Sequence, residues 1–216
     1  MKQTRLARYI DFKGYDFPGF GGQHPLEGAT TLTALADRVR EVIGKTQVRL
    51  VIAHSVASII ASLAIRGLKD HDITLVSLEG NLTKDDAYYS GRAAKYDNAA
   101  RFKAEFVSLM QEKSLSSPIL KRYARMAEKA DATAMWELGC DAHRFSQTHH
   151  PGELLEACGR VIYVYNPDNC AKSSMDWLAG SGLDTLRLDG ASHWPTIDVP
   201  GRLSERLMER LLNDVI

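Results

Sequence analysis

Apolar positions along this chain follow two rhythms. Short runs rich in β-branched residues, Val48 to Ile52, Ile73 to Leu78, Arg160 to Tyr165 and Thr185 to Asp189, have the length and composition of buried strands. Between them apolar residues recur at helical spacing: Leu32, Leu35, Val39, Val42 and Ile43 up to Gly44, then Ile59, Ile60, Leu63 and Ala64 up to Gly67. Further helices are expected around Ser174 to Ala179 and over Leu203 to Leu212. A short apolar segment ending at Tyr15 to Phe17 precedes the turn "PGFGG" and reads as one more strand. Strands alternating with helices predict an α/β fold, a mostly parallel sheet flanked by helices.

The alternation breaks between Leu82 and Glu156. Phe102, Phe106, Leu109 and Met110 form one helical stripe, and Leu120, Tyr123, Met126 and Ala127 form another that begins at Pro118. The expected organisation is a core of residues 1–81 and 157–216 with a helical cap inserted over 82–156.

Composition narrows the function classes. The 216 residues are 44% hydrophobic, enough for one domain with a sizeable core, and 27 basic residues balance 27 acidic ones. That balance gives no basic face for nucleic acid. No apolar run reaches the roughly 18 residues of a membrane span, and the N-terminus lacks a signal-peptide pattern, so a cytoplasmic protein is expected. Cys140, Cys158 and Cys170 are too few and scattered for a disulfide framework or zinc cluster and read as free thiols.

The run "VRLVIAHSVASIIASLAI" changes from strand to helix at Ser55. A serine on such a corner exposes its hydroxyl above the carboxyl edge of the sheet, beside the first free amide of the helix, that of Val56. A hydroxyl of ordinary pKa needs a histidine to take its proton and a carboxylate to orient that histidine. Later strand ends offer both: "VYNPDNC" places Asp168, and "LDGASHWP" places His193. Glu79, in "SLEGN", is a second strand-end carboxylate. Taken alone, "AHSVA" also fits an ordinary serine at the start of a helix.

With these pieces in order the sequence resembles the α/β-hydrolase superfamily over nearly its whole length. "DFPGFGG" is similar to the turn after the family's fourth strand, "AHSVA" to its nucleophile elbow with Ala53 and Ala57 in place of glycines, "NPD" to its acid turn and "GASHWP" to its histidine loop. The resemblance implies a serine hydrolase that needs no cofactor or metal and acts on an ester or related acyl bond of a small apolar molecule. Ser55 would be its nucleophile, His193 its base, Asp168 its orienting acid with Glu79 as alternative, and Val56 its oxyanion donor. Tyr88, Tyr89, Trp136 and Trp194 are the expected pocket residues. The family's first three strands, and the His-Gly loop that gives a second oxyanion amide, have no match before Pro18. The expectation is therefore a rebuilt sheet edge or a shortened chain, and a non-catalytic binding protein of the same fold is the alternative function. Oligomeric state is not legible.

Other polar features have plainer readings. His54 is expected to pack, with its side chain directed away from the hydroxyl. His149 and His150 lack a third ligand for a metal. "PGFGG" lacks the spacing and the lysine of a phosphate loop.

Overall fold

A computed structural model describes residues 1, 3–68, 72–88 and 90–212. Four parallel strands, β1 (Leu50–His54), β2 (Thr74–Leu78), β3 (Val161–Tyr165) and β4 (Asp184–Arg187), pair in the order β1-β2-β3-β4. The register runs straight across: Ile52 lies opposite Val76, Val76 opposite Ile162, and Ile162 opposite Asp184. β2 is buried along its whole length and β3 nearly so, which is why both are continuous apolar runs. β1 begins two residues later than the sequence pattern suggested and continues to His54, because the ladder to β2 persists up to the turn at Ser55.

Helices cover both faces. α1 (Leu32–Lys45) and α2 (Ala57–Arg66) pack on one side, where Leu35, Ile60 and Ala64 are fully buried. Each large side chain of that kind contributes about 1.5–3 kcal/mol. α9 (Pro200–Leu212) covers the other side through Leu203 and Leu207, which meet Val76, Ile162 and Val164.

The described residues before Pro18 form no strand. Ile10 and Phe12 instead lay their side chains against the cluster that includes Leu50 and Ile52, and β2 is the only strand paired with β1 among the described residues. Two alternating apolar positions followed by Gly14 and Asp16 give too short a buried face to hold a ladder.

Between β2 and β3 the chain is helical, as the pattern predicts. α3 (Ala99–Lys113) and α4 (Pro118–Lys129) form a hairpin with a core of its own, Phe102, Phe106, Met110, Ala124 and Ala127. Asn98 and Ser117 cap the two helices, accepting from the amides of Arg101 and Leu120. α5 (Ala132–Thr148) belongs with the sheet layers: Leu138 and Ala142 pack into the α1 and α2 cluster. Its Glu137 and Asp141 carboxylates accept from the Thr30 and Leu32 amides at 2.7 and 2.8 Å, placing negative charge at the start of α1. α6 (Pro151–Glu156) leads into β3, and α7 (Lys172–Gly180) follows it. The short α8 (Pro195–Asp198) follows the His193 loop.

Candidate active site

Two residues other than glycine have positive φ among the described residues: Ser55 at 55° and Glu79 at 47°. Each comes directly after a strand, β1 and β2, and such backbone costs about 1–3 kcal/mol wherever it is held. The neighbours enforce it. The Ser55 amide donates to Leu78 O at 3.0 Å, and the Glu79 amide donates to Val164 O at 2.8 Å, so both turns are locked into the sheet's carboxyl edge. Small residues let α2 approach: Ser77 Oγ donates to Ser58 Oγ at 2.9 Å, and a Cβ on Gly80 would collide with both side chains.

Glu79 is buried at 8% exposure, and its carboxylate is fully engaged. Oε1 accepts from the Asn166 amide at 3.0 Å and from Asn169 Nδ2 at 2.8 Å, while Oε2 accepts from His193 Nδ1 at 2.9 Å. That pairing leaves Nε2 of His193 as the free ring nitrogen. The His193 loop is further tied down where Asn166 Nδ2 and Asn169 Nδ2 both donate to Ala191 O and where the Ser192 amide donates to Asp198 at 2.5 Å.

Asp168, the acid favoured from sequence, stands elsewhere. Its residue is exposed on a short 3-10 turn, Pro167–Asn169, whose Asn166 side chain accepts from the Asp168 amide. Among the described residues the Asp168 carboxylate has no ion pair, and Arg187 is paired with Asp189. Asn166 and Asn169 flank Asp168, and both donate to Glu79, Asn166 through its backbone amide and Asn169 through its side chain.

Ser55, Val56, Glu79 and His193 line one cavity of about 710 Å³. Among the described residues the Ser55 hydroxyl has no hydrogen-bond partner. Val56 opens α2 with φ −54°, its backbone at the helix N-terminus. Phe102, Phe106, Tyr123, Met126 and Met135 supply an apolar wall from the helical segment. Trp194 lies edge-on to His193 at 5.2 Å and beside Tyr123 at 5.4 Å, so it joins that wall to the histidine loop. Of the other expected pocket residues, Tyr88 lines the cavity from an exposed position, and Tyr89 lies outside the described residues. Trp136 is absent from the lining: its indole donates to Tyr96 O at 3.1 Å inside the hairpin cluster. The helical stripes of Phe102, Phe106, Tyr123 and Met126 carried no sign of facing a cavity rather than only each other.

Charge in the cavity is one-sided. Asp16, Glu79, Asp85 and Asp86 line it, and no lysine or arginine does so among the described residues. Burial, with Glu79 and Asp86 adding to it, pushes the Cys170 thiol up to about 12. The Tyr163 phenol, which donates to Gly80 O, is raised well above its ordinary value, chiefly by burial. Neither is a nucleophile at neutral pH. His54 is lowered to about 4, first by burial and then by the nearby His193, and is a neutral imidazole. Among the described residues no group of three or more His, Cys, Asp or Glu could hold a metal ion, and no helix is long and apolar enough to cross a membrane.

Residues 4–206 match the model of the alpha/beta hydrolase family. No curated protein matches the chain. Among solved structures, a candidate aryl esterase from Burkholderia cenocepacia superimposes with a TM-score of 0.73 at 13% identity, covering 97% of this chain and 82% of its own. A thermophilic esterase from Thermogutta terrifontis gives 0.66 at 15% identity, covering 91% and 77%. A hydrolase from Pseudomonas aeruginosa PA01 gives 0.63 at 17%, covering 91% and 78%. At these identities the likeness is one of fold, and with a family match over nearly its whole length the chain belongs to the alpha/beta hydrolase family.

Proposed function

We propose that this protein is a serine hydrolase that cleaves an uncharged carboxylic ester, with Ser55 as nucleophile, His193 as base and Glu79 as the orienting acid. The observation that carries the reading is the hydrogen bond from His193 Nδ1 to a buried, fully engaged Glu79, in the same cavity as a serine held at φ 55°. Glu79 fixes the tautomer in which Nε2 is free to accept a proton. Ser55 Oγ then attacks the ester carbonyl carbon as its proton passes to Nε2, and the Val56 amide stabilises the oxyanion. Collapse breaks the bond to the alcohol, which leaves with the proton from Nε2. Water, deprotonated in turn by His193, releases the acid and restores Ser55.

The wall of Phe102, Phe106, Tyr123 and the two methionines favours an aryl or alkyl group, and a volume of about 710 Å³ suits a small ligand. The carboxylates around the cavity disfavour an anionic substrate. The esterases among the structural neighbours support the same reaction class.

A binding role without turnover is the second reading. It is favoured by the Ser55 hydroxyl having no hydrogen bond to His193 among the described residues. A fluorophosphonate probe separates the two, since it bonds covalently only to a serine activated by a base. Labelling at Ser55, lost in Ser55→Ala and His193→Ala, is the expected result. A cooperatively melting protein that neither labels nor cleaves short nitrophenyl esters above the Ser55→Ala control would leave only the binding role.

A further inference from the structure

The histidine beside the nucleophile has a task of its own. His54 is the last residue of β1 and is bonded through its backbone to Ser55. Its ring lies 4.6 Å from the His193 ring, and its Nε2 is 2.6 Å from the carbonyl oxygen of His193. A carbonyl oxygen only accepts, so Nε2 carries the proton and donates, which leaves Nδ1 bare in the neutral ring. His193 sits in an irregular loop, and the other ties of that loop reach its neighbours, Ala191 and Ser192. Among the described residues two hydrogen bonds act on His193 itself: Glu79 orients the ring, and His54 holds the main chain.

We propose that His54 is a positioning residue that bolts the base to the nucleophile turn: the path from Ser55 through one peptide unit, one imidazole and one hydrogen bond to His193 O sets the spacing between them. The inference rests on the hydrolase reading of the site. It also accounts for why a histidine, and not a lysine or arginine, suits the position. The ring is uncharged at neutral pH, so it does not oppose the positive charge that His193 takes up when it accepts the Ser55 proton. His193 is the titratable neighbour that acts on it, and the Trp194 ring, 6.4 Å away, carries no charge.

Side-chain replacement separates positioning from packing. Gln places an amide nitrogen the same number of bonds from Cβ as Nε2, Asn falls one bond short, and Phe fills the space with no donor. His54→Phe and His54→Asn are expected to lower kcat for a nitrophenyl ester roughly tenfold or more with KM nearly unchanged, since small misplacements of a catalytic group are costly in rate. His54→Gln is expected to recover most of that loss. Equal kcat in His54→Phe and the parent, or a Gln variant no better than Phe, would overturn the proposal. Nitrogen-15 NMR of the parent ring tests the bolt without any turnover, and so reads it even if the hydrolase reading fails or a variant does not fold. A neutral ring protonated at Nε2 is expected at pH 7, and a ring protonated at Nδ1 or exchanging between tautomers would overturn the proposal.

Discussion

The turns that follow β2 and β3 each carry a carboxylate at the sheet's carboxyl edge, and the chain treats them in opposite ways. Glu79 is taken out of water, twisted to positive φ and given three donors. Asp168 is left in solvent. Both follow a buried parallel strand, so position along the chain does not distinguish them. The surroundings do: a buried carboxylate requires donors on nearly every lone pair, and the β3 turn spends Asn166 and Asn169 on its neighbour's acid instead of supplying one.

The sharpest break of this comparison is Glu79→Gln. Two donors at the Oε1 position require the amide oxygen there, which turns the amide NH2 toward His193 Nδ1. His193 must then carry its proton on Nε2, the wrong nitrogen for accepting one from Ser55, and kcat should fall by on the order of 10⁴-fold with the fold retained. Steady-state ester hydrolysis with a parallel thermal melt checks it.

A chemical probe of the same field comes next in size. Cys170 lies one residue beyond Asn169, and burial, with the Glu79 and Asp86 charges adding to it, pushes its thiol up to about 12. The raised value favours the neutral thiol, so at pH 8 the thiolate fraction, and with it the alkylation rate, should be on the order of 10³ below that of a free cysteine. Iodoacetamide labelling followed by peptide mapping measures this, and the rate should climb tenfold per pH unit with no plateau up to pH 10.

Much of this arrangement was legible in the sequence. The strand and helix rhythms predict all four observed strands within a few residues, and Ser55 and His193 fall on the strand-end turns where nucleophile and base were expected. Three things were not legible, each for a physical reason. The isolated apolar segment ending at Tyr15 to Phe17 looks like a strand until one asks what would pair with it. Trp136 and Phe102 both lie on helices, and only tertiary packing makes Phe102 a core residue that also lines the cavity while Trp136 packs against that core alone. The choice of acid depends on which turn provides donors and which provides charge. Asn166 and Asn169, two uncharged donors three residues apart around an acidic residue, were the available signal that the carboxylate facing His193 comes from another strand.

Removing one of those donors should have an intermediate effect. Asn169 Nδ2 bridges Glu79 Oε1 and Ala191 O, so it ties the acid to the histidine loop. In Asn169→Ala the Asn166 amide still holds Glu79, and Asn166 Nδ2 still holds Ala191 O. Stability should fall by about 1 kcal/mol for the lost hydrogen bonds. The fall in kcat should be roughly tenfold, smaller than for Glu79→Gln because the His193 tautomer is kept. Denaturant unfolding and ester kinetics on the same preparation separate the two effects.

The smallest expected effect is the most discriminating, because it falls on the residue the sequence favoured. Asp168→Asn keeps the shape of an exposed side chain, leaves the amide that donates to Asn166 in place, and removes one solvent-exposed charge. Arg187 keeps its ion pair with Asp189, so loss of the exposed Asp168 charge should leave the thermal melt nearly unchanged. Ester turnover should remain within about twofold of the parent, since nothing in the Glu79, His193 and Ser55 arrangement depends on the Asp168 carboxylate. A loss of several powers of ten in Asp168→Asn, with Glu79→Gln nearly silent, would reverse the comparison and return the acid to the β3 turn.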